Sequence, residues 1–550
     1  MLQHFYIFIT ALFASLIMVP LLRRWALDSG VVDQPDERKV HKEATPRVGG
    51  IAIAISFLFA LLAHAEINTE LRGILAGTLV MFLTGMVDDL HGISPRKKFL
   101  GEIAACLVTI FVGDLHIIHL GNLLGTGNII LPLWLSYPFT VFAVVGLINA
   151  INLIDGLDGL AGGVSVIALV TFGLLGFITG NTVAMLISAG LFGALLGFLK
   201  YNFYPARIFM GDAGSLSIGF VLGFLAISLT QSASSVTSPI IPAIVLGLPI
   251  IDTLWVMSRR VIHGVSPFSP DRTHVHHQFL DLGFNHRFTV LIIYVISLYW
   301  SIIAILFRRH SDWLLLLIYL GLSGSFYIAL RYILKHRERF QSLLALDSSK
   351  SIFQSRRFGK LTDALAFLES ALIVLIIAYF SLAAWFGTEA NNPTIQVAAL
   401  LLAASIVLIY YARDVRNDYV LLAFYFAGLV FTYQIALLPN IDQGDLLIQN
   451  AANLLSIALA ILVVLRLLLR RPGTLFLSTP DYLILGLNIL FAVFISQSVH
   501  DGMLPWVLVK GVVLYLAIKL VMVDPRPRVR TLAWFLLGFV GVMIVRGLLF

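Results

Sequence analysis

Residues 149–163 read Asn-Ala-Ile-Asn-Leu-Ile-Asp-Gly-Leu-Asp-Gly-Leu-Ala-Gly-Gly, placing Asn149, Asn152, Asp155 and Asp158 among glycines where a long apolar run ends. Carboxylates at a helix C-terminus oppose the macrodipole, which prefers cations there. Gly156 and Gly159 suit a helix C-terminus, which explains the glycines but not the acids. At the end of a membrane helix such a cluster is costly unless a cation or a donor-rich ligand compensates it. The stretch therefore reads as a site.

Three other stretches have the same character. Asp88 and Asp89 are adjacent and close an apolar run. Their repulsion is relieved by a hard cation such as Mg²⁺, whose shell substrate phosphate completes, or by one carboxylate serving as a base while the other stays near a cation. Asn202 is followed by Arg207-Ile-Phe-Met-Gly-Asp212-Ala-Gly-Ser215. There the acid stands where a helix begins; it suits an N-cap, and a glycine-rich helix start also suits phosphate. The loop 258–287 carries Arg259, Arg260, His263, Asp271, Arg272, His274, His276, His277, His286 and Arg287, stiffened by Pro267 and Pro270. His-x-His-His without a cysteine or an i,i+4 His-Glu pair fits an anion binder better than a zinc site, with imidazole and guanidinium as donors to phosphate oxygens.

The elements that must position these groups are membrane helices. The chain has 550 residues, 59% hydrophobic and 12% charged, with a mean hydropathy of +0.94. A soluble fold cannot hide that much apolar surface. Roughly 18 apolar runs are long enough to span a bilayer, the first near 3–22. The lone Cys106 excludes an internal disulfide. A net charge of +7 fits cytoplasmic loops facing anionic lipid and substrate rather than nucleic acid. The expected fold is an all-α polytopic integral membrane protein, with about 11 helices in residues 1–335 and about seven more in 364–550. A basic linker, 336–363, separates them, and Gly, Asn and β-branched residues predict a short external hairpin near 120–134. Arg23, Arg24, Arg38, Lys39, Lys42 and Arg47 place the first loop in the cytosol and the N-terminus outside. Alternation then puts all four acidic or basic clusters on cytoplasmic loops, with Arg308 and Arg309 alone breaking the pattern. Acids for a divalent metal, a helix N-terminus and basic donors on one membrane face suit phosphoryl chemistry on a nucleotide-activated substrate.

At these residues the sequence resembles the polyprenyl-phosphate N-acetylhexosamine-1-phosphate transferase family over roughly residues 1–335. The motifs are Asp33-Gln-Pro-Asp-Glu-Arg-Lys39-Val-His41 with Pro46-Arg-Val-Gly-Gly50, then Asp88-Asp89, Asn149 to Gly163, Phe209 to Ser215, and Pro267 to His277. The last is most similar to the branch that uses UDP-N-acetylglucosamine. The resemblance implies transfer of a sugar 1-phosphate from a UDP-sugar to undecaprenyl phosphate, releasing UMP with Mg²⁺ (or Mn²⁺) as cofactor, in a bacterial inner membrane. It implies catalytic roles for Asp88, Asp89, Asp155, Asp158 and His276. Substrate contacts are implied for Lys39, His41, Asn149, Asn152, Asn202, Arg272, His274 and His277, and metal binding for Asp212 with Asp89. Asp88 matches the residue proposed to deprotonate the lipid phosphate or attack covalently. Lys98 is followed by Glu102 where the family often has glutamine, and reads as an ordinary i,i+4 helix pair.

A transporter or flippase is the competing class, since about 18 spans is a transporter-like count. Its ionisable groups would stand near the bilayer midplane, whereas here they collect at one interface. A different UDP-acetamido sugar or a dolichyl acceptor would use the same inventory. Residues 364–550 carry no catalytic constellation; a partner scaffold, a homodimer interface and a guide for lipid product are open readings.

Overall fold

The computed structural model describes residues 2–33, 45–231, 237–264, 273–338, 371–379, 381, 443–468, 479–498 and 504–522. The chain divides into two compact units, Met1–Leu346 with Thr479–Leu490, and Asp347–Ser478 with Phe491–Phe550. The first unit is helical: α1 Leu2–Asp28, α2 Gly49–His64, α3 Thr69–His91, α4 Pro95–Gly113, α5 Leu133–Ile154, α6 Leu160–Thr179, α7 Thr182–Asn202, α8 Gly211–Gln231, α9 Ile240–Val245, α10 Gly247–Ile262, α11 Val275–Asp281, α12 His286–Phe307 and α13 Asp312–Lys335. Later come α14 Gln443–Leu468, α15 Thr479–Ser498 and α16 Leu504–Met522. Among the described residues eight helices are long and apolar enough to cross a membrane. The all-α polytopic expectation holds. The expected spans near 394–412, 418–437 and 532–549, and most of the basic linker, lie outside the described residues.

The bundle is organised around α8. Its apolar window is 94% buried, with Phe220, Phe224, Leu216 and Leu225 fully enclosed. A helix that is hydrophobic all round belongs inside. Lipid supplies no hydrophobic drive between helices, so small residues that admit close backbone approach take its place. Gly50 of α2 meets the backbone of α8 at Gly214, where an added Cβ would collide with main chain. Bonds from Gly49 N–H to Phe209 O (3.0 Å) and Gly50 N–H to Met210 O (2.7 Å) seal that junction.

Two expectations need correction. The ninth span, near 239–257, is broken into α9 and α10 at Leu246–Gly247. Pro249 has no N–H and its ring would clash with the Val245 carbonyl one turn back, which interrupts the helix there; Tyr319 OH donates to Gly247 O at 2.8 Å, at the start of α10. The loop before α12 also folds a short helix, α11, over the histidine motif. The hairpin near 120–134 is present: His119 bridges Ile130, Leu120 N–H donates to Ile129 O, and Ile129 N–H donates to Gly121 O across the turn. A two-residue antiparallel pair, Val32–Asp33 with Thr45–Pro46, closes the base of the first loop.

Candidate active site

The carboxylates collect at one end of the bundle, at the C-termini of α3 and α5 and the N-terminus of α8. The hairpin, pinned by Gln231 at the other end of α8, marks the opposite end. Asp89 reaches across to α8, its two oxygens accepting Asp212 N–H at 2.8 Å and Ala213 N–H at 2.9 Å. It thus caps a helix whose first residue, Gly211, has a left-handed φ of +70° and no side-chain oxygen of its own. A Cβ at Gly211 would lie 2.6 Å from Asp89 Oδ2 and collide with the Arg47 carbonyl. Only glycine fits.

Asp212 is therefore fixed by its backbone, and its carboxylate faces inward. Asn152 donates to Asp212 Oδ1 at 2.7 Å and to Ser215 Oγ at 2.8 Å. Lys98 Nζ stands 2.8 Å from Asp212 Oδ2 and 3.3 Å from Asp88 Oδ2. This corrects the expected Lys98–Glu102 pair: Lys98 crosses to two carboxylates, and Glu102, 1% exposed, accepts from Asn149 at 2.9 Å instead. Asp88 is oriented by Ile93 N–H at 2.9 Å. The Lys98 ammonium thus bridges Asp88 and Asp212 and offsets part of their charge. Among the described residues no three His, Cys, Asp or Glu side chains converge as a complete metal cage, so a cation would need oxygens from substrate or water. That partial cage suits Mg²⁺, which keeps several waters and substrate phosphates.

Asp155 caps α5 beside this cluster. Burial, and then the charges of Asp212, Asp89 and Asp158, raise its carboxyl from 3.8 to about 7, with Arg47 pulling the other way. Asp158 accepts Ala206 N–H at 2.9 Å. Asn202, 3% exposed, accepts Gly159 N–H and donates to Ile208 O, both at 2.9 Å. Asn202 is thus a strut joining the 155–159 turn to the loop before α8.

The histidine motif folds onto the same turn. His276 is 2% exposed, and its ring lies so close over Gly156 that a Cβ there would be 3.0 Å from Cε1. Burial and the neighbouring His277, His274 and His286 lower His276 to about 3, so the ring is neutral. Its ring is 4.2 Å from that of His277 and stacks at 6.1 Å on that of His274. His274 Nδ1 donates to Asp252 Oδ2 at 2.8 Å. Lys39, His41 and Arg272 lie outside the described residues. In the sequence Arg47 reads as a topology marker and motif residue without a site role, and Asp252 and Tyr327 carry no reading; for Asp252 the signal is there, a carboxylate inside an apolar run.

Fold and site together define a helical membrane protein with an acid-rich cluster around one lysine at one end of its bundle. The family model described as glycosyl transferase family 4 matches residues 71–230. A Bacillus subtilis (strain 168) protein named probable undecaprenyl-phosphate N-acetylglucosaminyl 1-phosphate transferase is 39% identical over 316 residues, 56% of this chain and 87% of its own. A Mycolicibacterium smegmatis protein named decaprenyl-phosphate N-acetylglucosaminephosphotransferase is 36% identical, covering 50% of this chain and 74% of its own. The Salmonella typhi undecaprenyl-phosphate alpha-N-acetylglucosaminyl 1-phosphate transferase is 32% identical, covering 49% and 75%. The chain belongs to glycosyl transferase family 4.

Proposed function

We propose that the protein transfers N-acetylglucosamine 1-phosphate from UDP-N-acetylglucosamine to undecaprenyl phosphate, releasing UMP, as a first membrane step in building a cell-envelope polysaccharide. The observation that carries this reading is the Asp88–Lys98–Asp212 cluster, backed by Asp155 and roofed by His276 at one end of the helices. A phosphate oxygen of the lipid attacks the phosphorus nearest the sugar; the bond to the UMP oxygen breaks, and UMP leaves with that electron pair. Positioning and charge neutralisation do most of the work in such a transfer. Asp88 would orient the lipid phosphate and take its proton when it carries one. Asp212, with Asp88 and Asp89 at hand, would hold Mg²⁺ (or Mn²⁺), which neutralises pyrophosphate charge when bound. Asp89 sets the direction of Asp212. Asn152 fixes the same carboxylate, while His274, His276 and His277 present donors to the pyrophosphate.

The basic loops support a cytoplasmic site and an external N-terminus in a bacterial inner membrane. The break between α9 and α10 resembles the discontinuous helices of transporters, yet it lies among Ile244, Val245, Leu246 and Leu248, all buried and apolar. A transported ion would find no ligand side chain there.

Donor labelled with ³²P on the phosphate next to the sugar tests the reading. Label moving into the organic phase with UMP left in water supports it. Label retained in aqueous UDP means plain sugar transfer and overturns it. Asp88→Asn is expected to cripple turnover and leave donor binding nearly intact; equal loss of both removes the base assignment.

A further inference from the structure

Asp252 is an ionisable residue in the interior of α10, and it is 4% exposed. A carboxylate there is stable only with donors around it, and three are present. Oδ2 accepts His274 Nδ1–H at 2.8 Å; Oδ1 accepts Val275 N–H at 3.0 Å and Tyr327 OH at 2.9 Å. Tyr327, on α13, is 2% exposed, and its ring is held by stacking on Trp255 at 4.7 Å. The helix α11 starts at Val275, and its N-cap His274 makes no side-chain cap bond, so Asp252, accepting Val275 N–H, caps that helix from another element. It does so beside His274, whose ring lies parallel, within 8°, to that of His276. His274 Nε2 and both ring nitrogens of His276 are buried without a partner among the described residues. Buried polar atoms with no partner are costly and await one. A phosphate oxygen has the right chemistry.

We propose that Asp252, braced by Tyr327, is a positioning residue of the transferase site: it caps α11 and holds His274 with Nδ1–H bound and Nε2 free for a donor phosphate oxygen, and so sets His276 against the Asp155–Asp158 turn. The inference rests on the transferase reading for the identity of the ligand, though not for the state of the ring. When a phosphate oxygen meets Nε2, a proton from solvent converts the ring to imidazolium, donating at Nε2 to phosphate and at Nδ1 to Asp252. The imidazolium then stands between two anions, the Asp252 carboxylate and the phosphate, and donates to each.

Asp252→Asn is the informative variant. The amide oxygen can keep both Oδ1 contacts, to Val275 N–H and Tyr327 OH. The amide NH₂ then faces His274 Nδ1, which has to become an acceptor, so the ring proton moves to Nε2. Packing is retained while the tautomer inverts and the balancing charge is lost. A neutral hydrogen bond replaces a charge-assisted one, and the expected result is about a tenfold rise in KM for UDP-N-acetylglucosamine, kcat changed less than about threefold, and KM for the lipid unchanged. Tyr327→Phe is expected to keep the tautomer and raise donor KM about threefold.

The decisive readout is ¹⁵N NMR of the histidine-labelled protein, with His274 assigned by its loss in His274→Gln. Wild type should show Nδ1–H at rest, and Asp252→Asn should show Nε2–H. A resting wild-type ring protonated at Nε2 overturns the proposal, as does an Asp252→Asn enzyme with wild-type donor KM. If Asp252→Asn fails to fold, the wild-type spectrum and Tyr327→Phe still decide. Should wild type turn over no UDP-sugar, the transferase reading fails, while the resting spectrum still judges Asp252.

Discussion

Gly211→Ala puts the account under the most direct structural stress. Gly211 has φ +70°, and a left-handed conformation costs a non-glycine residue about 1–2 kcal/mol. The new Cβ would also press on Asp89 Oδ2 at 2.6 Å and Oδ1 at 2.8 Å, and on the Arg47 carbonyl. Main chain cannot swing away as a flexible side chain can, so overpacking adds about 1–3 kcal/mol. The total is about 2–5 kcal/mol of stability. The functional loss follows from where the strain lands: Asp89 holds Asp212 and Ala213 by their N–H groups, and displacement of about 1 Å at a reacting centre can cost about 100-fold. Gly180→Ala is the control. Gly180 also has a positive φ, +69°, with nothing within 4 Å of its Cβ, and it ends α6 far from the carboxylates. UMP release and thermal unfolding should be measured on both purified variants. Gly211→Ala is expected to lose about 100-fold in turnover; Gly180→Ala is expected to lose about 1–2 kcal/mol and no turnover. Wild-type turnover in Gly211→Ala, or equal losses in both, would refute the claim that Asp89 acts by holding the start of α8.

Three further outcomes follow from the same geometry. Lys98→Gln removes the cation shared by Asp88 and Asp212; resting Mg²⁺ affinity, read by isothermal titration calorimetry, should rise about tenfold while turnover falls, since an uncompensated carboxylate pair attracts a cation more strongly. Asp155, raised to about 7, must lose its proton as a cation approaches, so Mg²⁺ affinity should rise about tenfold from pH 6 to pH 8 and level off above; Asp155→Asn should flatten that profile. His276, lowered from 6.5 to about 3, is neutral when folded. Its contribution to stability is complete above pH 6.5 and declines as pH falls toward 3, by about 2 kcal/mol at pH 5; the acid slope of thermal unfolding should be shallower in His276→Gln.

Much of this was legible because membrane helices announce themselves by length and composition, and because acids at helix ends are hard to explain as structure. Asp88, Asp89 and Asp155 stand out for that reason; Asn152 and Asp212 stand out by their motifs, since Asp212 alone also suits an N-cap, and α8 brings all five to one end of the bundle. What was hidden depends on direction. Spacing alone gives Lys98 and Glu102 an i,i+4 contact, but α4 packs so that Lys98 points to Asp212 and Glu102 to Asn149. The break at Gly247 was overlooked because the flanking residues are apolar on both sides, and periodicity does not register an interruption inside a hydrophobic run. Asn202 reads as a binding amide in sequence and stands as a strut in the fold. Asp252 could have been found, since a lone acid in an apolar run needs partners; its partners, 22 and 75 residues away, could not.

The central claim is a phosphosugar transfer at the Asp88–Asp212 cluster, and UMP release tests it most directly. Purified protein would be given undecaprenyl phosphate, Mg²⁺ and, in turn, each of a panel of UDP-sugars. The account predicts release with UDP-N-acetylglucosamine, abolished by EDTA and by omission of the lipid. Release with a different acetamido sugar would keep the mechanism and change the substrate. No release from folded protein with any donor would contradict the account.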